Sequence, residues 1–287
     1  MKNDHIDEVS GVSTTGHEWD GIRELNNPLP RWWVWTFYAT IVWSIGYAIL
    51  YPAWPLINSA TTGILGYSSR QELGRTLDGV AASQAERLAA ISEKPLAEIL
   101  ADEELRRFAA SAGAAAYKVN CSQCHGSGAQ GSPGYPNLND DEWLWGGDIE
   151  AIHQTIAHGI RFAGDAGSRY SLMPAFGDVL EREQINQVAA HVASLSGTAA
   201  DPVAAEAGMQ VYADNCAACH GENGEGNRDL GAPDLTDAIW LYGASEEEIA
   251  QQVRIPRHGM MPGWADRLGD TTVKQLSVYV HSLGGGE

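Results

Sequence analysis

Every cysteine of this 287-residue chain lies in one of two short runs, Cys121-Ser122-Gln123-Cys124-His125 and Cys216-Ala217-Ala218-Cys219-His220. No other feature limits the possible folds as strongly, because Cys-x-x-Cys-His is the attachment sequence of a covalently bound c-type haem. Two thiols on one side of a helical turn are spaced to add across the two vinyl groups of one porphyrin. The histidine that follows turns its imidazole toward the iron. A lone Cys-x-x-Cys would also suit a dithiol redox pair, a structural disulfide or half of a zinc site; a histidine after both copies selects haem. Two haem c groups are therefore expected, tethered by Cys121, Cys124, Cys216 and Cys219, with His125 and His220 as iron ligands.

The chain is too long for one cytochrome lobe and fits two small domains with additions. Its formal net charge of −19 argues against nucleic acid and suits a cationic partner, or serves only to keep the protein soluble. Haem attachment of this kind is completed outside the cytoplasm, so part of the chain must carry the cysteines across a membrane.

Residues 1–31 are polar, with Asp4, Asp7, Glu8, Glu18, Asp20 and Glu24 set against Lys2, Arg23 and Arg31. From Trp32 to Trp54 no side chain is charged, and those 23 residues (54 − 32 + 1) exceed the ~20 that a membrane-spanning helix needs. Some thirty residues precede this run, so it reads as an uncleaved anchor rather than a signal peptide. Trp32, Trp33 and Trp35 at one end and Tyr51 and Trp54 at the other fit aromatic belts at two interfaces, with Pro52 and Pro55 as stops. The haem motifs orient the anchor: amino terminus in the cytoplasm, the remainder in the periplasm. Thr36, Thr40, Ser44 and Ala48 form a stripe of small side chains that suits a neighbouring membrane helix. Residues 55–107 read as a helical connector, with a capping box at Ser69–Glu72 and Leu96, Ile99 and Leu100 at helical spacing.

Beyond the connector the sequence repeats itself. Gly113, Tyr117 and Asn120 precede Cys121 as Gly208, Tyr212 and Asn215 precede Cys216, and Leu138, Trp143, Leu144 and Gly146 answer to Leu235, Trp240, Leu241 and Gly243. Met173-Pro174 answers to Met261-Pro262, and the register continues through Ile185 with Val273, Val188 with Leu276, Val192 with Val280 and Leu195 with Leu283. Those positions form the apolar stripe of an amphipathic helix. The expected architecture is all-α: one transmembrane helix, the connector, and two tandem class I cytochrome c domains over 108–199 and 203–287, joined by the Gly/Ala/Pro linker 196–202.

The sixth iron ligand separates an electron carrier from an enzyme that binds a substrate. A methionine thioether closes the site and raises the potential relative to two nitrogens. Met173 and Met261 occupy matching places in the repeat, each ahead of a proline that fixes the backbone. Met260 competes for the second site but falls out of register, and Met209 belongs on the packing face of its helix. His158 and His258, each ahead of a glycine, are the alternative ligands, and Trp143 and Trp240 are expected to pack on the porphyrin.

Taken together, the anchor, the connector and two lobes resemble the dihaem subunit of cbb3-type cytochrome c oxidases. The most specific likeness lies outside the haem motifs, in Asp20-Gly21-Ile22, Glu24, Asn27-Pro28-Leu29-Pro30-Arg31-Trp32-Trp33 and Tyr51-Pro52. The resemblance implies a single-pass subunit of the bacterial inner membrane with no substrate chemistry of its own. It would accept electrons from a donor c-type cytochrome and pass them through a monohaem c subunit to the catalytic haem–copper subunit. It also implies Met173 and Met261 as iron ligands beside His125 and His220. Each methionine could cap its own lobe or the other; loop closure favours its own. A free-standing anchored electron carrier and a dihaem peroxidase are the alternatives.

Overall fold

The computed structural model describes residues 6–287, so Lys2 and Asp4 of the amino-terminal charges lie outside the described residues. A division after Ser83 separates two compact units.

In the first unit, β1 (Thr14–Trp19) and β2 (Ile22–Leu25) form an antiparallel hairpin, an addition to an otherwise helical chain. Asp20 and Gly21 turn it with φ of 49° and 84°, the paired left-handed geometry that matches the twist of the flanking strands. The hairpin left no mark in the hydrophobic pattern because nearly all its side chains are exposed. The apolar run forms α1 (Arg31–Leu50), long and apolar enough to cross a membrane, and it ends four residues before Trp54. Along its small-residue stripe, the hydroxyls of Thr36, Thr40 and Ser44 donate to the carbonyls of Trp32, Phe37 and Thr40 at 2.9, 2.7 and 2.8 Å. No hydroxyl of the stripe is thus left unpaired in hydrocarbon. The end of α1 is closed by a turn that folds back on it. Ile64 and Leu65 donate N–H to the carbonyls of Ile49 and Leu50. Gly63, at φ 67°, makes this approach possible, since a Cβ there would lie 2.3 Å from the Leu50 oxygen.

Next comes α2 (Ser69–Glu93), which begins after Ser68, whose Oγ accepts the Gln71 N–H; the cap is one residue earlier than the sequence suggested. In the second unit, α3 (Leu96–Ala101) and α4 (Glu103–Asn120) follow, α4 being capped by Asp102, whose Oδ1 accepts from Glu104 and Leu105. Ile91, Leu96, Ile99, Leu105 and Ala109 are buried together with Ile149 and Val278. The carboxyl-terminal end of the 55–107 connector is therefore core of a haem body rather than a spacer, and residues 51–68 are not helical.

The remaining helices are α5 (Ser122–His125), α6 (Ile149–His158), α7 (Arg182–Leu195), α8 (Pro202–Asn215), α9 (Ala217–His220), α10 (Glu246–Arg254), α11 (Ala265–Leu268) and α12 (Asp270–His281). Tandem in sequence, the repeats interleave in space. Helix α4 packs on α12 and α8 on α7, while α6 lies on α12 and α10 on α7. Gly113 and Gly208 let the first two pairs touch: a Cβ on either would lie 2.1 Å from the carbonyl oxygen of Gln275 or Gln187, respectively. The ring of Tyr117 lies 5.4 Å from that of Tyr279, and the ring of Tyr212 lies 5.2 Å from that of His191. These four residues of one helix crossing have their repeat equivalents at the other, Gly113 with Gly208, Gln275 with Gln187, Tyr117 with Tyr212 and Tyr279 with His191, so the two crossings are copies made with exchanged partners.

One haem body thus comprises α4 to α6 with α11 and α12. The other runs without interruption from Met173 to α10 and is inserted into the first, entered through residues 161–172 and left through 255–260. Loop closure favoured the opposite pairing, but weakly. Met261 is 136 residues from His125 (261 − 125) and Met173 is 48 (173 − 125), a difference of only about 0.9 kcal/mol in closure entropy.

Candidate haem sites

Each Cys-x-x-Cys-His run is one tight helical turn at the end of a longer helix. Cys121 ends α4 and Cys216 ends α8, and the N–H groups of His125 and His220 donate back to those cysteines' carbonyls at 3.0 Å. The turn stops at Gly126 and Gly221, at φ 83° and 81°, where the hydroxyls of Tyr117 and Tyr212 donate to the glycine carbonyls at 2.9 and 2.8 Å. Nδ1 of His125 is 3.0 Å from the Pro136 carbonyl oxygen and Nδ1 of His220 is 3.2 Å from that of Pro233. This contact fixes the tautomer with Nδ1 protonated, leaving Nε2 as the free electron pair for a metal. Burial lowers the pKa of both imidazoles, which keeps them neutral and ready to ligate.

Burial also pushes the Cys121 and Cys216 thiols up to about 11, with the neighbouring cysteine of each pair adding to the shift. A dithiol redox pair needs a thiolate at neutral pH, and these two thiols do not supply one.

The methionines stand where the exchange puts them. Met173 packs into the core that holds Tyr212, Cys216, Leu235 and Trp240, and Met261 into the core that holds Tyr117, Cys121, Leu138 and Trp143. Backbone bonds fix both assignments. Phe176 and Gly177 donate to the carbonyls of Val253 and Arg254 at the end of α10, each at 3.1 Å. Met261 and Ile160 exchange hydrogen bonds at 3.0 and 2.9 Å, next to Gly159, whose absent Cβ leaves room for the Met261 carbonyl. Met260 is largely exposed, and Met209 is exposed as well, not on a packing face. His158 is held away by Asp165, its Nδ1 lying 2.9 Å from Oδ2. His258 is exposed at the mouth of the second site.

That second site is a cavity of about 540 Å³ whose walls include Met173, Cys216, Cys219, His220 and Trp240. Two thiols, an imidazole and a thioether in an apolar cavity form a donor set suited to a tethered iron porphyrin. Part of the wall, including Tyr135, Pro136 and Glu142, comes from the other body's loop. Two residues of this neighbourhood escaped the sequence reading. Arg161 lines the cavity and is half-buried. Burial, aided by repulsion from Asp237, pushes the Glu142 carboxyl up to about 7. Neither belongs to a motif; a lone polar residue in a loop carries no periodic signal.

A single apolar helix and two bodies of this construction are what a membrane-anchored dihaem c-type cytochrome requires, and the chain is of that class. Residues 11–58 match the family described as the N-terminal domain of cytochrome oxidase-cbb3, FixP, and residues 108–192 and 203–280 match cytochrome c oxidase, cbb3-type, subunit III. Over 286 residues the chain is 62% identical to the cbb3-type cytochrome c oxidase subunit FixPc of Rhizobium leguminosarum bv. viciae and 60% identical to FixP of Sinorhizobium medicae, covering 100% of this chain and 100% and 99% of theirs. With CcoP of Cereibacter sphaeroides it shares 54% over 276 residues, 96% of this chain and 95% of the relative. The chain belongs to the FixP/CcoP family, subunit III of cbb3-type cytochrome c oxidase. As a member it carries two covalently bound haem c groups.

Proposed function

We propose that this subunit accepts electrons from a donor c-type cytochrome and passes them, through a monohaem c subunit, toward the haem–copper subunit of its oxidase. The observation that carries this reading is that a methionine packs into the core of each Cys-x-x-Cys-His body, where its thioether would close the site. Cys121, Cys124, Cys216 and Cys219 would hold the two groups through thioether bonds, with His125 and His220 as iron ligands. Met261 completes the site of His125, and Met173 that of His220. Haem c, so held, would supply one-electron transfer.

The protein's own contributions are orientation and exclusion. The carbonyls of Pro136 and Pro233 hold the imidazoles in one tautomer, and the apolar walls around Met173 and Met261 keep water from the thioethers. The net charge of −19 suits attraction of a basic donor, at rates that fall with ionic strength. The N-terminus lies in the cytoplasm and both haem bodies in the periplasm, with α1 anchored in the inner membrane; support comes from the extracytoplasmic completion of haem attachment.

Magnetic circular dichroism of Met173→His and Met261→His tests the site assignment. Each variant is expected to convert one haem from His/Met to bis-His, Met173→His acting on the haem tethered by Cys216 and Cys219. An iron that binds carbon monoxide readily in the reduced wild type would overturn the electron-relay reading in favour of a peroxidase. Migration alone after mild detergent extraction, without copper or b-type haem, would favour a free-standing carrier.

A further inference from the structure

The two crossings between the bodies meet at one residue. Ile160 is paired with Met261, and the Arg161 N–H donates to the Arg169 carbonyl at 2.8 Å. From there the Arg161 side chain reaches both methionine segments: Nε donates to the Gly259 carbonyl at 2.6 Å and Nη1 to the Ser171 carbonyl at 3.1 Å. Gly259 and Ser171 each stand two residues before a methionine, Met261 and Met173. Arg161 has φ of 52°, a left-handed conformation that costs a residue with a Cβ about 1–3 kcal/mol and persists only where surroundings impose it. Among the described residues no carboxylate lies within ion-pair distance of it; burial lowers its pKa, and the phenols of Tyr242 and Tyr170 act in the opposite direction. A half-buried guanidinium is retained here with backbone carbonyls as its hydrogen-bond partners.

We propose that Arg161 is the positioning residue for both axial methionines, one guanidinium fixing the backbone that delivers Met173 to one body and Met261 to the other. The proposal rests on the ligand assignment above and adds to it that the two sites share a support. Charge-assisted bonds to carbonyls are stronger than neutral ones. A planar fork holds two acceptors at a fixed separation, which a flexible ammonium does not do. Exchange of the methionines between bodies is what brings both segments within reach of one side chain. Loosening that side chain therefore loosens both thioethers together.

The test uses the full-length chain in detergent, with its two haems verified by pyridine haemochrome. Imidazole is titrated against the ferric protein, and the sulfur-to-iron charge-transfer absorption is followed haem by haem with magnetic circular dichroism. In Arg161→Gln the imidazole affinity is expected to rise about tenfold at both haems, the factor that corresponds to 1.4 kcal/mol. Arg161→Lys should produce a smaller rise at both. Gly113→Ala, which crowds the α4–α12 contact alone, should affect the haem of His125 and leave the other unchanged. If Arg161→Gln fails to mature with two haems, Arg161→Lys decides by the same readout. A rise at one haem only, or at neither, overturns the shared-support proposal. Absence of the sulfur-to-iron band from the wild type would overturn the ligand assignment, and the proposal with it.

Discussion

Exchange of helices between the repeats predicts a specific energetic coupling. The ring of Tyr117 in α4 lies 5.4 Å from that of Tyr279 in α12 at an interplanar angle of 57°, and Tyr117 is fully buried. An aromatic pair in this geometry contributes about 0.5–1.5 kcal/mol beyond its area burial. Tyr117→Leu on its own costs more, since it also removes the hydroxyl that donates to Gly126, a bond worth ~1 kcal/mol. A double-mutant cycle with Tyr279→Leu cancels that loss and isolates the pair. The expected coupling is the same ~0.5–1.5 kcal/mol, a factor of about 2–13 in the unfolding constant. The control cycle combines Tyr117→Leu with His191→Leu, because His191 occupies the position in α7 that Tyr279 occupies in α12. Those two changes should add to within about 0.3–0.5 kcal/mol. Urea unfolding followed by far-ultraviolet circular dichroism gives the four free energies, with an unchanged m-value as the check that only stability has moved. Coupling between Tyr117 and His191, with none between Tyr117 and Tyr279, would refute the exchange and return each helix to its own repeat.

Two further outcomes follow from the same packing and from the half-buried acid Glu142. Cleavage at a protease site placed between Ala199 and Ala200 should leave a single species with both haems in gel filtration, because α7 buries Ile185, Val188 and Val192, and α12 buries Val273, Leu276, Val278 and Val280, in the other fragment's body, each worth ~1.5–3 kcal/mol; separation into two one-haem fragments would contradict the interleaved fold. Glu142 holds its proton to about pH 7, chiefly through burial and then through repulsion from Asp237, whereas the unfolded chain releases it near its ordinary value of 4.5. The folded state therefore binds the extra proton between those values, and stability falls as pH rises from about 4.5 to 7. Glu142→Gln should remove this slope, leaving the urea midpoint close to wild type at pH 4.5 and raising stability at pH 8 by about 1 kcal/mol once screening of this partly exposed group is counted; an unchanged slope would show that another group carries it.

What the sequence made legible was chemistry carried by short spacings. The two attachment turns, the Met-Pro pairs and the anchor each depend on residues within one or a few helical turns, and the structure forms α5, α9 and α1 at those places. Features outside that range were missed for physical reasons. The amino-terminal hairpin has no buried face to impose alternation, and Met209 lies on a helix whose small apolar residues do not define a single face. The connector hides its purpose because Ile91, Leu96 and Ile99 find their partners at Ile149 and Val278, far along the chain.

The partner choice of the helices could not be read from sequence at all. Gly113 accepts Gln275 and Gly208 accepts Gln187, yet the two glutamines are repeat equivalents and would serve either glycine. Duplication had made the two interfaces interchangeable, and closure entropy separated the alternatives by only about 0.9 kcal/mol. Such a difference is smaller than that of one charge-assisted hydrogen bond. By itself the sequence determined that two haems are tethered and that each has a histidine and a methionine available. Tertiary structure decided which methionine packs into which Cys-x-x-Cys-His body, because only there do the crossings at 161–172 and 255–260 carry Met173 to the core of Cys216 and Met261 to that of Cys121.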